Sequence, residues 1–344
     1  GLWKGYVQKM LDRYGDRIRF WEVWNEADIT NFWNGSFEEY RDLLRATYET
    51  IKAHDPRLRV MTSGFALIGG HGGHKDPKFQ EKVVRQCQPW FDILAHHQHG
   101  HFPAFQKVVD GPLAEMRSWA PDKALYFNET ATNRGNGYRF QAETLVKKMS
   151  LAIARGAIGY TWYTLVSGTL TEKKGHNWGL YASNYYPCMV YGAYNTTVHM
   201  TRGKRWKDDL HRGDGRFGYV FSGSDEHAAV FWDEDDALSS QPLCFAVDES
   251  ATCFEVDIMD NRKKLAAFDG HVVVDSSRTP KFLLVTGTPR APKLASVLVH
   301  LPDPVPGVVP GRTARVPVVI GNPLPRPIEI SLSWRDLPGF PPDE

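Results

Sequence analysis

The sequence has almost no surplus charge, no long apolar run and very little cysteine, and each shortage removes a class of function. Lys and Arg number 41 against 40 Asp and Glu, a net charge of +1, so no basic surplus exists to hold a polyanion and no nucleic-acid partner is expected. No stretch approaches the ~20 apolar residues of a membrane-spanning helix, and no membrane partner is expected. Cys87, Cys188, Cys244 and Cys253 show none of the paired spacings of zinc or redox sites. Cys244 and Cys253 flank an expected hairpin and are compatible with either a disulfide or free thiols. No Gly-x-Gly-x-x-Gly turn follows a strand, which argues against dinucleotide binding. Ser63 lacks a Gly-x-Ser-x-Gly setting, which argues against a serine triad. No His-Glu-x-x-His helix occurs, so neither a cofactor nor a resident metal is expected.

An initiating Met and a secretory leader are also missing from the start, where Trp3, Tyr6, Val7, Met10 and Leu11 already form a helical stripe. The expectation is a chain that begins part-way through a domain.

The remaining composition, 42% hydrophobic and 24% charged over 344 residues, suits a globular protein of two or three domains with a substantial core. Apolar, β-branched and aromatic runs predict strands beginning at Phe20 and at Leu58–Phe65, Phe91–His97, Ala124–Asn128 and Ile158–Leu165. Helical patterns lie between them at Phe37–His54, with Ser36 as its cap, Phe79–Cys87, Leu113–Trp119 and Ala142–Arg155. Steps of 40, 33, 33 and 34 residues separate Phe20, Val60, Ile93, Tyr126 and Tyr160. That rhythm means repeated βα units and a parallel sheet. A closed (β/α)8 TIM barrel needs eight units, so five imply an incomplete barrel filling residues 1–205.

From Phe217 onward short alternating strands, Tyr219–Ser222, Ala228–Trp232, Leu243–Val247, Phe254–Met259, Val272–Val274 and Lys281–Val285, predict an antiparallel β-sandwich over residues 206–288. A Pro-rich passage, Leu294–Pro310, then leads to Ala314–Ile320 and Ile328–Trp334, read as the start of a further β-domain within 289–344.

The chemistry is expected at strand ends, where parallel α/β barrels place it. Phe20-Trp21-Glu22-Val23-Trp24-Asn25-Glu26 ends in an amide and a carboxylic acid, and Ala124–Asn128 ends at Glu129, again after an Asn. Glycoside hydrolysis needs such a pair, one carboxylic acid to protonate the departing oxygen and one carboxylate to attack carbon or activate water. Trp162 lies near the tip of the next strand, and the 11 Trp and 14 Tyr supply rings able to stack on sugars, although such rings also fill cores.

Trp24-Asn25-Glu26, Glu129 three strands later and Trp162 on the following strand resemble the clan A glycoside hydrolases. Within the clan the stretch Phe20–Phe32 with Asp28 and Trp33, the run Phe91–His97, and Trp178-Gly179-Leu180 with Pro187 are most similar to family 39, the β-xylosidase and α-L-iduronidase family. The resemblance spans roughly residues 1–202. It implies that the strands present are the fourth to eighth, that Glu26 is the acid/base and that Glu129 is the nucleophile of a retaining enzyme. It further implies that Asn25 binds the sugar hydroxyl beside the reacting carbon and that Trp162 lies under the ring. Asn128 departs from the small hydroxyl residue expected before the nucleophile, and His99 from the aromatic hydroxyl expected after the sixth strand.

His97, His99 and His101 alternate and would share a face of an extended segment, with His71 and His74 on the preceding loop. His97 and His99 are candidate substrate contacts. Glu22 is read as structural, Trp21 and Trp24 as packing, and Asn133–Gly137 as a plain loop. The expected partner is an oligosaccharide or polysaccharide, and the substrate class implies a secreted or periplasmic protein. The alternatives are a carbohydrate-binding protein without catalysis and an inactive piece of a longer glycosidase. An isolated part-barrel would expose two open sheet edges, so poor solubility is expected.

Overall fold

The computed structural model describes residues 1–66, 73–168, 177–210, 212–213, 215–234, 242–267 and 270–295, and the backbone of two short strands at 298–300 and 319–321. Five strands, β1 (Phe20–Glu22), β2 (Arg59–Met61), β3 (Ile93–His99), β4 (Ala124–Ala131) and β5 (Ala157–Trp162), form one parallel sheet in the order of the chain. A doubly wound sheet reverses its strand order part-way; this one does not.

The sheet is strongly curled. The rings of Phe20 on β1 and Tyr126 on β4 lie 5.9 Å apart, whereas three steps between flat neighbouring strands would separate them by about 14 Å. Met61, Ile93, Ala95, Ala124 and Tyr126 line the concave face as a small apolar cluster. The convex face carries the main core, covered by the helices. Curled geometry and unbroken strand order together make a partial TIM barrel.

The helices follow from local chemistry. In α2 (Phe37–His54) the Ser36 hydroxyl accepts from Glu39 N while the Glu39 carboxylate accepts from Ser36 N, a reciprocal cap that fixes the first turn. Its stripe of Tyr40, Leu44 and Ile51 is buried against the sheet. α1 (Leu2–Tyr14) buries Val7 and Leu11 beside it. α3 (Phe79–Gln86), α4 (Phe102–Asp110), α5 (Pro112–Ser118), α6 (Tyr138–Ala154) and α7 (Met189–Thr201) complete the outer layer. α6 is buried on most sides, including Lys147 and Lys148, because a second layer of protein packs over it.

That layer begins with β6 (Arg205–Asp209). Its sheet also contains β7 (Arg216–Ser222), β8 (Glu226–Asp233), β10 (Thr252–Val256), β11 (Arg262–Leu265) and β13 (Lys281–Thr286), in the order β11-β10-β13-β8-β7-β6. A second sheet, β12-β9-β14, is made from β9 (Pro242–Ala246), β12 (His271–Asp275) and β14 (Lys293–Leu294). Strand alternation divides the larger sheet's side chains between two cores. Val220, Ala229, Phe231, Leu283 and Val285 meet Leu243, Phe245, Val272 and Val274 of the smaller sheet. Their neighbours Phe221, Ala228, Val230, Trp232, Phe282 and Leu284 join the barrel's own core. Phe102 packs its ring edge on Phe217 and Trp232, and Lys147 pairs with Glu234 at 2.8 Å.

All four cysteines are buried free thiols, so the Cys244–Cys253 bridge left open by the sequence is not formed. Leu298–His300 pairs antiparallel with Val319–Gly321; the expected strand Ile328–Trp334 lies outside the described residues.

Candidate active site

The C-terminal ends of β1, β3 and β4 converge at one mouth. Beyond β1 the chain continues alongside β2, with Asn25 bridging Gly64. It then turns through Trp24 and Glu26, at φ 71° and 46°, a region few residues with a side chain adopt. Anchors hold the turn. Buried Tyr40 donates its hydroxyl to Val23 O and accepts from Ser63 N, and the Asp28 carboxylate accepts from Ala66 N and the Gln80 amide. Trp24 donates to Phe32 O and meets Trp33 edge-on. Glu26 therefore reaches the mouth from an anchored turn just past the strand.

Glu129 arrives by a different device. Between the pairs Ala95–Tyr126 and His97–Glu129, one residue of β3, His96, opposes two of β4, Phe127 and Asn128. Such a bulge re-aims side chains. It lets consecutive residues serve one site: Asn128 hydrogen-bonds Glu22, while Glu129 Oε1 lies 3.1 Å from His99 Nε2.

His97 is the hub. Its ring is 1% exposed, with Nδ1 2.9 Å from Glu26 Oε1 and 4.0 Å from Glu129 Oε2, and Nε2 3.8 Å from Glu22 Oε1. Gly64 makes room for it, since a methyl group there would sit 1.9 Å from His97 Nε2. Burial opposes a charge on His97, but the Glu26 hydrogen bond and the carboxylates of Glu129, Glu22 and Glu26 outweigh it and raise its pKa above the usual imidazole value. Burial likewise pushes Glu129 up, but the His99 hydrogen bond and the fields of His97 and His99 more than offset it and hold Glu129 below the usual carboxylate range. Glu22 goes the other way: desolvation dominates and raises it, against the Gly64 N–H, Asn128 and His97.

Glu26, Glu129, His97 and His99 thus come together, and Asn25 stands exposed beside Glu26. Trp162 is 6% exposed, donates to Trp178 O and packs into the core. The rings nearer the cleft are Tyr163 and Trp178, each edge-on to His99. His101 leaves the expected shared face, because the strand has ended and its ring meets Phe140 beside α4. His74 is engaged with Gly35 O and Asp76 N, and His71 lies outside the described residues. His96 faces away, bonded to Phe65 O and driven by burial to a pKa of about 3. Asn133–Gly137 is no plain loop: Arg134 binds Cys188 Sγ, Ser167 Oγ and Gly179 O. Glu22 corrects the purely structural reading, since it shares the mouth with both other carboxylates. Its place on the strand two residues ahead of Trp24 was a signal, but which face looks inward is set by curvature.

One carboxylate oxygen from Glu26, one from Glu129 and one ring nitrogen of His99 lie within 4.8 Å of one another. Two carboxylates at that separation, one held ionised and the other hydrogen-bonded by a buried imidazole, are equipped for paired acid–base or nucleophilic work.

No family model matches the chain. A β-xylosidase from Geobacillus stearothermophilus is 40% identical over 68 residues, 19% of this chain and 13% of that protein. A family 39 glycoside hydrolase from the gut symbiont Bacteroides cellulosilyticus WH2 superposes with a TM-score of 0.62 at 18% identity, covering 82% of this chain and 61% of its own. The family 39 enzyme of Xanthomonas axonopodis pv. citri gives a TM-score of 0.55 at 19% identity over 83% of this chain and 72% of its own. A family 30 endoxylanase from Clostridium papyrosolvens C71 gives 0.58 at 13% identity over 83% and 70%. The fold is that of these clan A glycoside hydrolases, and the chain spans about three fifths of the Bacteroides enzyme's length.

Proposed function

We propose that this chain carries the catalytic carboxylates of a retaining glycoside hydrolase of β-xylosidase type. On this reading β1 to β5 are the fourth to eighth strands of a barrel spanning residues 1–205, braced by a sandwich that begins at 206 and takes in β14 (Lys293–Leu294) beyond the expected limit of 288, with a further β-domain after it. The observation that carries the proposal is the approach of Glu26 to Glu129, with ligating oxygens within 4.8 Å. Carboxyl groups about 5–5.5 Å apart mark retaining enzymes, whereas inverting enzymes leave about 6.5–9.5 Å for a water.

In the first step Glu129, held ionised, attacks the anomeric carbon and forms a glycosyl ester, while Glu26 gives its proton to the departing oxygen. In the second Glu26 takes a proton from water, which displaces Glu129 and regenerates both groups. His97 orients Glu26 through Nδ1, and His99 holds Glu129 where the family resemblance expects an aromatic hydroxyl. Asn25 is placed to meet the neighbouring sugar hydroxyl. The substrate is an oligosaccharide or polysaccharide, with Tyr163 and Trp178 as the rings beside it and Trp162 supporting them from below.

The test is hydrolysis of aryl β-xylosides by the complete protein and its variants. Glu129→Gln should abolish turnover, and Glu26→Ala should lower it by about 10²–10⁴, the usual contribution of a general acid. The Glu26→Ala loss should be smallest for leaving groups that need no protonation. Wild-type turnover by both variants would sink the proposal. The open concave face, where Phe20 is 43% and Tyr163 45% exposed, favours a second reading, sugar binding without catalysis. Calorimetric xylo-oligosaccharide binding with no product release would select it.

A further inference from the structure

We propose that Glu26, His99 and Glu129 form a zinc-binding site across the mouth, one that would occupy the carboxylate pair and block it. The sequence argues against a metal because its His and Cys residues lack ligand spacing; this group is assembled instead from the turn after β1, the end of β3 and the bulged part of β4. One ligating atom from each residue lies within 4.8 Å of the other two. The His99 Nε2 to Glu129 Oε1 edge is 3.1 Å, close to the ~3.3 Å between ligand atoms of a tetrahedral ion with bonds of about 2.0–2.1 Å. The wider edges close by rotation of Glu129 and His99, whose side chains are 25% and 36% exposed.

The surroundings suit an ion. His97 holds Glu26 through Oε1, which fixes the carboxylate while leaving its second oxygen for a metal, the outer-layer support that metal ligands commonly receive. His97 itself is not in the ligand group: its Nδ1 is committed to Glu26 and its Nε2 faces Glu22 Oε1 at 3.8 Å. Without an ion, the proton on His99 Nε2 bridges to Glu129; zinc on Nε2 requires that proton to leave to solvent and Nδ1 to take one up, so that the ring ligates as its other neutral tautomer. Among the described residues His99 Nδ1 has no hydrogen-bond partner, so no existing hydrogen bond has to break for the proton to move there. One imidazole with two carboxylates selects zinc over magnesium or calcium, which favour oxygen-only sets. Binding does not depend on the catalytic role; only the inhibition rests on the function proposed above.

The experiment titrates zinc chloride into the metal-free 344-residue chain by calorimetry, in competition with a chromophoric chelator. One equivalent should bind. Affinity should fall at least tenfold in His99→Tyr and in the near-isosteric Glu129→Gln, with magnesium failing to compete. X-ray absorption should show a single imidazole among oxygen donors. Absence of stoichiometric binding, or equal affinity in both variants, overturns the site. Stoichiometric binding that leaves hydrolysis of an aryl β-xyloside by the complete protein untouched supports the site and removes the catalytic reading instead.

Discussion

Replacing Gly64 by Ala tests how tightly the site is built. The added methyl would lie 1.9 Å from His97 Nε2, 2.2 Å from Cδ2 and 2.8 Å from Cε1. A flexible surface side chain would swing aside, but His97 is 1% exposed and tied to Glu26 at 2.9 Å. Overpacking of this kind costs about 1–3 kcal/mol, and losing a hydrogen bond to a charged group about 1.5–3 kcal/mol more. Gly64→Ala should therefore destabilise by about 2.5–6 kcal/mol. In a His97→Ala background the obstructing ring is gone, and the same change should cost under about 1 kcal/mol, a strong coupling for two contacting residues. Denaturant melts of the four proteins in the cycle measure both values. Additivity within about 0.5 kcal/mol would refute the reasoning, because the methyl would then be colliding with something other than His97.

Lys148 offers a pH test. It is buried beneath the mouth, donates to the carbonyls of Gln98, Gly100 and Ala131, and is pushed by burial to a pKa of about 7. An unfolded Lys titrates near ~10.4. The folded state thus holds fewer protons between these values, and stability should rise with pH from about 7 to about 10.4, with the full penalty present below that window. The rise in melting temperature should shrink in Lys148→Met, and an identical slope in both proteins would count against it. In the sandwich, Arg212 and Asp233 pair at 2.8 Å with almost no exposure, and Arg212 also binds Ser276 Oγ and the carbonyls of Phe217 and Trp232. Removing one partner of such a pair costs about 3–5 kcal/mol. Arg212→Met should therefore lower the denaturation midpoint sharply, and a shift worth under about 1 kcal/mol would show the pair to be dispensable.

The sequence by itself determined most of the elements, because periodicity is local, although it gave no warning of α4, α7 or β6. The rhythm from Phe20 to Tyr160, the Ser36 cap with Glu39, and the alternation through Phe217–Trp232 each depend on neighbours a few residues away, and all appear as strands and helices where expected. It also marked Glu26 and Glu129, since a carboxylate closing an apolar strand can be seen without knowing what lies opposite. Tertiary structure decided which side chains share a space. The curl of the sheet brings β1 against β4, so Glu22 joins the mouth. The bulge in β4 lets Asn128 and Glu129 face one site, and Trp24 and Glu26 turn through left-handed backbone held by Tyr40 and Asp28. None of these leaves a periodic trace, because each arises from contacts between residues dozens of positions apart. The same cause places Trp162 in the core with Tyr163 and Trp178 nearer the cleft, and sends His101 away from His97 and His99: alternation gives two faces, and only packing says which of them meets the site.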